Sequence, residues 1–273
     1  MDNIKIGFIG GGNMARSLIG GLVAAGVPPA TLLVADPVAD IRAALVTDFG
    51  IIPCDNNQAL VDSCDVVVLA VKPQVLRTVA TDLSPANEQL FLTIAAGIRT
   101  DSLANWLGGQ VAIVRAMPNT PALVQCAATG MYAGADVSEQ QRNVAESVMR
   151  AAGLVQWIED ETLMDAVTAL SGSGPAYFFL VMEALEQAGQ ALGLPAQTAR
   201  LLTIQTAFGA AKLALEIEED PAVLRQNVTS PGGTTEQAIR VLQEGQLAEL
   251  FDGALAAARD RAVELADQLD QPG

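Results

Sequence analysis

The 273-residue sequence contains no histidine. That absence removes imidazole general bases, Ser-His-Asp and Cys-His nucleophilic sites and histidine-ligated metals together, so any chemistry runs on other groups and no metal is expected. Basic side chains are scarce as well: 15 Lys and Arg face 31 Asp and Glu, a formal net charge of −16. This balance excludes a nucleic-acid binder that works by neutralising phosphates. The three cysteines, Cys54, Cys64 and Cys126, form no CxxC pair. An odd, sparse set suits a reducing compartment and reads as buried thiols. No long uncharged apolar run is present, because the best candidate, residues 166–182, is interrupted by Ser171-Gly172-Ser173-Gly174-Pro175. A membrane span is therefore not expected. The chain reaches a strand-like run at Ile4 without a basic leader or a small-residue cleavage site, so a cytoplasmic protein is the expectation.

What is abundant is apolar material, 51% of the residues against 17% charged. That is enough for large cores and too little charge for disorder. In the first half, short β-branched runs at 4–9, 32–35, 65–71, 90–95 and 111–115 alternate with helix-like segments at 13–25, 38–49, 73–83 and 100–106. The alternation predicts a Rossmann-like, doubly wound parallel α/β sheet over residues 1–160, with segments near 127–132 and 154–158 extending one edge. Beyond it, Ala, Leu, Glu and Gln dominate 163–170, 176–192, 196–217, 235–243 and 247–269, which predicts an all-α domain over 161–273. Its helices are apolar over wide arcs, Ala207-Phe208-Gly209-Ala210-Ala211 being one case. A second chain of the same kind is the expected cover.

Three groups of residues carry chemistry. Gly10, Gly12 and Ala15 form a Gly-x-Gly-x-x-Ala string, with Gly11 inside it, between the first strand and the first helix. The glycines permit a tight turn and close approach of a pyrophosphate to free helix N–H groups. Asp36 ends the second strand, where such an acid normally accepts from a ribose 2′-OH and so favours NADH; the plainer reading is a helix cap. No arginine follows it closely, Arg42 lying a turn and a half into the helix, so activity with both dinucleotides and a modest preference are expected. Later strand ends, Ala70-Val71-Lys72-Pro73, Ala95-Ala96-Gly97 and Met117-Pro118-Asn119-Thr120, are cofactor-facing candidates. Lys72 also reads as a solvated helix-start cation, and Asn119 as a turn residue. In the helical half, the strings from Thr168 to Ala176 and from Val228 to Thr235 set Gly and hydroxyl residues before helices, where N–H groups bind a small anion or are simply capped.

Taken together, the Gly-rich start and residues 70–74, 115–122, 171–177 and 230–235 resemble, in this order and across essentially the whole chain, pyrroline-5-carboxylate reductases. The resemblance implies reduction of pyrroline-5-carboxylate by NADP(H) or NAD(H), and an interlocked homodimer that assembles further in some members. It implies a substrate carboxylate held at Ser230, Gly232, Gly233, Thr234 and Thr235, with Ser173 on the substrate side and the Thr235 hydroxyl at the ring nitrogen. Glu218 corresponds to a carboxylate associated with activity. Cofactor contacts carry onto Gly10, Gly12, Asn13, Met14, Asn56, Ala70, Lys72, Pro73 and Asn119. A protonated imine is already electrophilic, so a site without histidine suffices. Two rivals are less well served: a β-hydroxyacid dehydrogenase, which would place a lysine on the helix after Gly174, and a non-catalytic nucleotide sensor, which has no use for the hydroxyl-rich loops.

Overall fold

The computed structural model describes residues 4–86 and 88–270. Eight strands form one sheet: β1 (Ile6–Ile9), β2 (Leu32–Ala35), β3 (Ile52–Pro53), β4 (Val66–Leu69), β5 (Leu90–Thr93), β6 (Ala112–Met117), β7 (Ala127–Ala133) and β8 (Gly153–Trp157). Their order is β3-β2-β1-β4-β5-β6-β7-β8. Strands β1 to β6 are parallel, β7 runs antiparallel to β6, and β8 is parallel to β7. The central strands are buried on both faces because helices cover both. Ile6 and Phe8 point into one apolar layer, Ile9 into the other, as the period of two demands.

Helices α1 (Asn13–Ala24), α2 (Ala39–Phe49) and α6 (Glu139–Arg150) supply the first layer, and α3 (Asn57–Val61), α4 (Pro73–Thr81) and α5 (Thr100–Trp106) the second. In α1 the buried set Ala15, Leu18, Ile19 and Leu22 has the i, i+3, i+4, i+7 spacing of one helix face. α6 opens with a capping box in which Ser138 and Gln141 satisfy each other's backbone.

The remaining elements are α7 (Met164–Val167), a π-helical turn at Thr168–Gly172, α8 (Gly174–Ala191), α9 (Ala196–Glu216), α10 (Pro221–Asn227), α11 (Thr234–Glu244) and α12 (Leu247–Asp270). Packing groups the residues up to Gly174 with those from Ala257 on, and Pro175–Ala256 as a second unit. The division expected at residue 160 falls inside the first unit. There, Val167 fills the space beside Gly130 of β7, and the end of α12 lies on the loop after β5, where Ala266 and Leu269 approach Gly97.

The second unit has little interior. Among its described residues Ala199 is the one buried apolar side chain, while Phe178, Phe179 and Phe208 are 67%, 62% and 59% exposed. Helices α8 to α11 and the start of α12, with this composition, leave their apolar faces to another surface. The expectation of three buried thiols is corrected: Cys64 is buried, Cys54 half-buried and Cys126 exposed. Cys126 falls on a turn after Gln125, whose φ of 56° takes the chain out of a helical turn before β7 begins.

Candidate active site

Parallel pairing brings the carboxyl ends of β1 to β6 to one edge of the sheet. The strand order reverses between β1 and β4, the position where doubly wound sheets leave a crevice for ligand. Gly10 stands at that point with φ of 97°, and a Cβ there would lie 2.7 Å from the Ala70 carbonyl oxygen. Only glycine fits both the conformation and the contact. Its N–H donates to Ala35 O at 2.8 Å, and Ala70 N–H donates to Ile9 O at 2.8 Å, so the ends of β2, β1 and β4 are tied together.

Gly12 is the N-cap of α1, with no side-chain cap, and no acidic residue stands in the first turn. A Cβ on Gly12 would meet nothing within 4 Å, so the backbone there is open to approach. Open backbone, uncapped N–H groups and the positive end of the helix together fit a pyrophosphate. Asn13 is exposed and Met14 half-buried in the same turn. Asp36 holds the turn from the side: its Oδ2 accepts the Gly11 N–H at 2.8 Å and its Oδ1 accepts the Val38 N–H at 2.8 Å. Arg42, expected to lie too far away, folds back and donates to the Asp36 carbonyl oxygen.

Around this turn, Asn56 caps α3 by accepting the Ala59 N–H at 2.8 Å. Lys72 is the exposed N-cap of α4 with Pro73 next to it, and Ala70 and Val71 lead into it half-buried. Ala96 and Gly97 end the next strand's loop, Gly97 at φ of 74°. Asn119 is only 9% exposed. Its Oδ1 accepts the Ala128 N–H at 3.0 Å and its Nδ2 donates to Ser171 O at 3.1 Å, bracing the π-helical turn that leads to Ser173. Ser173 N–H closes that turn on Thr168 O at 2.9 Å.

Beneath these loops lies a buried ion cluster that patterning did not reveal. Arg115 of β6 donates to Glu161 Oε1 at 3.2 Å and Asp165 Oδ1 at 3.3 Å, with 4% of its side chain exposed. Glu161 also accepts from Thr100 N–H at 2.9 Å and Thr100 Oγ1 at 2.7 Å. A lone cation ending an apolar strand was the available signal, since a charge placed there demands a partner.

In the second unit, Gly232 has φ of 71° and its N–H donates to Glu236 Oε2 at 2.8 Å. The Gly233 N–H donates to Ser230 O at 3.0 Å. Gly233 is the N-cap of α11, without a side-chain cap, so the first-turn N–H groups of Thr234 and Thr235 face the helix end uncapped. Ser230 is exposed and Thr235 half-buried. Glu218 lies, exposed, in the segment between α9 and α10.

Comparison with known proteins bears on both halves. Residues 161–265 match a family described as pyrroline-5-carboxylate reductase dimerisation, and residues 5–97 one described as NADP oxidoreductase, coenzyme F420-dependent. A Pseudomonas aeruginosa pyrroline-5-carboxylate reductase is 51% identical over 99% of this chain and all of its own length. One from Arabidopsis thaliana is 39% identical over 97% of this chain and 96% of its own. A solved pyrroline-5-carboxylate reductase structure from Coxiella burnetii is 46% identical, with a TM-score of 0.93 over 99% of this chain and 100% of that one. A Plasmodium falciparum pyrroline carboxylate reductase solved with NADP bound is 28% identical, with a TM-score of 0.85 over 97% of this chain and 99% of that one.

Proposed function

This chain belongs to the pyrroline-5-carboxylate reductase family, and from that premise we propose that it reduces 1-pyrroline-5-carboxylate to L-proline, the closing step of proline biosynthesis, using NADP(H) or NAD(H) and no metal. The dinucleotide, when bound, supplies a hydride to the imine carbon. The C=N π pair then passes to the ring nitrogen, which ends as a secondary amine. The chain's own groups position the partners and exclude water.

The observation that carries this reading is the uncapped start of α11. Thr234 and Thr235 N–H groups meet the substrate carboxylate at the positive end of the helix. Ser230, Gly232 and Gly233 shape the turn in front of it, Gly232 being pinned by Glu236. Thr235 Oγ1 accepts from the protonated ring nitrogen, Ser173 lies on the substrate side, and Glu218 supports the reaction from its connecting segment. For the dinucleotide, Gly10, Gly11, Gly12, Asn13 and Met14 take the pyrophosphate. Asp36 and Asn56 lie on the adenosine side, and Ala70, Val71, Lys72, Pro73, Ala96, Gly97 and Asn119 border the nicotinamide half.

The functional division is set at residues 1–160 for the dinucleotide and 161–273 for substrate and dimerisation. The chain self-associates; we place it in an interlocked homodimer, open to assembly into a larger set of dimers, in the cytoplasm. No helix among the described residues is long and apolar enough to cross a membrane.

The test follows absorbance of the reduced nicotinamide with pyrroline-5-carboxylate. Thr235→Ala removes a hydrogen bond to a charged group, about 1.5–3 kcal/mol, and lowers kcat/KM by one to two orders of magnitude. Thr235→Ser retains most of the activity. A folded Ala variant working at the parent rate places the imine elsewhere.

A further inference from the structure

An acid at the end of the second strand ordinarily offers its carboxylate to the adenosine ribose, whereas a nearby arginine accommodates a 2′-phosphate. In this chain both oxygens of Asp36 are already engaged, one by Gly11 N–H and one by Val38 N–H. The carboxylate thus works as a tie between the glycine-rich turn and the approach to α2. A carboxylate has further lone pairs, so these two bonds do not prevent it from meeting a hydroxyl. They do fix its position.

Arg42 changes the charge at the same place. Its guanidinium lies half-buried against the Asp36 carbonyl oxygen, six residues back along the chain. Among the described residues it joins no ion pair, although the chain carries 31 acids to 15 cations. Most of the arginines are matched with carboxylates; this one is anchored by a neutral carbonyl at the strand end where the adenosine ribose of a bound dinucleotide belongs. A guanidinium has five N–H donors in a planar fork suited to phosphate oxygens, and one bond to a carbonyl leaves the rest to donate.

We propose that Arg42 is the residue that reads the 2′-phosphate of NADP(H), so that the phosphorylated dinucleotide is preferred in spite of Asp36. The proposal rests on the reading that the β1–α1 turn binds a dinucleotide, and it names the feature that selects between the two forms. The carbonyl bond pre-orients the side chain, which lowers the entropy lost when phosphate binds.

The experiment uses two probes that need no catalysis, adenosine 2′,5′-bisphosphate and 5′-AMP, titrated calorimetrically into the full chain. The parent binds the bisphosphate at least about tenfold more tightly. Arg42→Gln lowers that ratio by about 10- to 100-fold, the span of one charge-assisted hydrogen-bonded contact, and changes the 5′-AMP Kd by less than about threefold. Arg42→Lys keeps the charge without the fork and falls between them. An unchanged ratio in Arg42→Gln overturns the proposal, and so does loss of 5′-AMP binding in both variants, which makes Arg42 a scaffold residue. A parent that binds neither probe overturns the dinucleotide reading itself, a result visible before any variant is made.

Discussion

Replacing Arg115 by methionine keeps the length and apolar stem of the side chain and removes only the guanidinium, so its effect isolates the buried charge. The two partners feel the loss differently. Glu161 keeps the Thr100 N–H and Oγ1 donors at 2.9 and 2.7 Å, and 20% of its side chain reaches solvent. Asp165 is 11% exposed in its side chain, and among the described residues Arg115 is its one side-chain donor. The penalty therefore falls on Asp165. Breaking a buried pair from one side costs roughly 3–5 kcal/mol, most of it the stranded charge. At roughly 2–4 °C per kcal/mol for a unit of 150–250 residues, Arg115→Met lowers the unfolding temperature by roughly 6–20 °C. Adding Asp165→Asn removes the stranded charge and recovers more than half of that loss. Thermal unfolding followed by tryptophan fluorescence, from Trp106 at the end of α5 and Trp157 on β8, reads both variants. A shift below roughly 2 °C for the single variant, or no recovery in the double, refutes the assignment of the cost to Asp165.

Asn119→Ala strands the Ala128 N–H and the Ser171 carbonyl and lowers stability by about 1–3 kcal/mol in the same assay; weakened dinucleotide binding at unchanged stability would instead make Asn119 a pure ligand contact. Glu146 gives a pH signature. Its carboxyl is held below its ordinary value of 4.5, first by the Trp157 Nε1–H bond at 2.6 Å and then by Arg150 Nε–H at 2.7 Å. A lowered folded value means that the carboxylate stabilises at pH above 4.5 and that the contribution fades as pH falls through the folded value. The gap between parent and Glu146→Gln, about 1 kcal/mol at neutral pH, therefore closes under acid; a gap that widens in acid contradicts the sign.

Backbone-forced features were legible from the sequence, and side-chain reach was not. Gly10 needs positive φ and clearance from Ala70, so its identity announced the turn. The runs that became β2 and β7 carried enough β-branched and apolar residues to be placed within a residue. The short strand β3, with Pro53, and the five-residue α3 carry too few positions for any period to register. α6 is polar over most of its surface, so few apolar positions mark its period, and the Ser138-x-x-Gln141 capping box is the local signal. Asn119 meets Ser171 across 52 positions, and Arg99 meets Asp267 and Asp270 across 168 and 171. Nothing local encodes such partners. Distance along the helix sets Arg42 apart from Asp36, but its long side chain spans the first turn and returns to the strand end.

The coreless character of residues 175–256 makes folding a matter of mass action. A unit with Ala199 as its buried apolar residue gains its interior only when another surface arrives, so its stability rises with the logarithm of chain concentration. For a half that gains its interior from a second copy, dilution is therefore a destabilising agent in its own right, acting on residues 175–256 before it acts on the sheet.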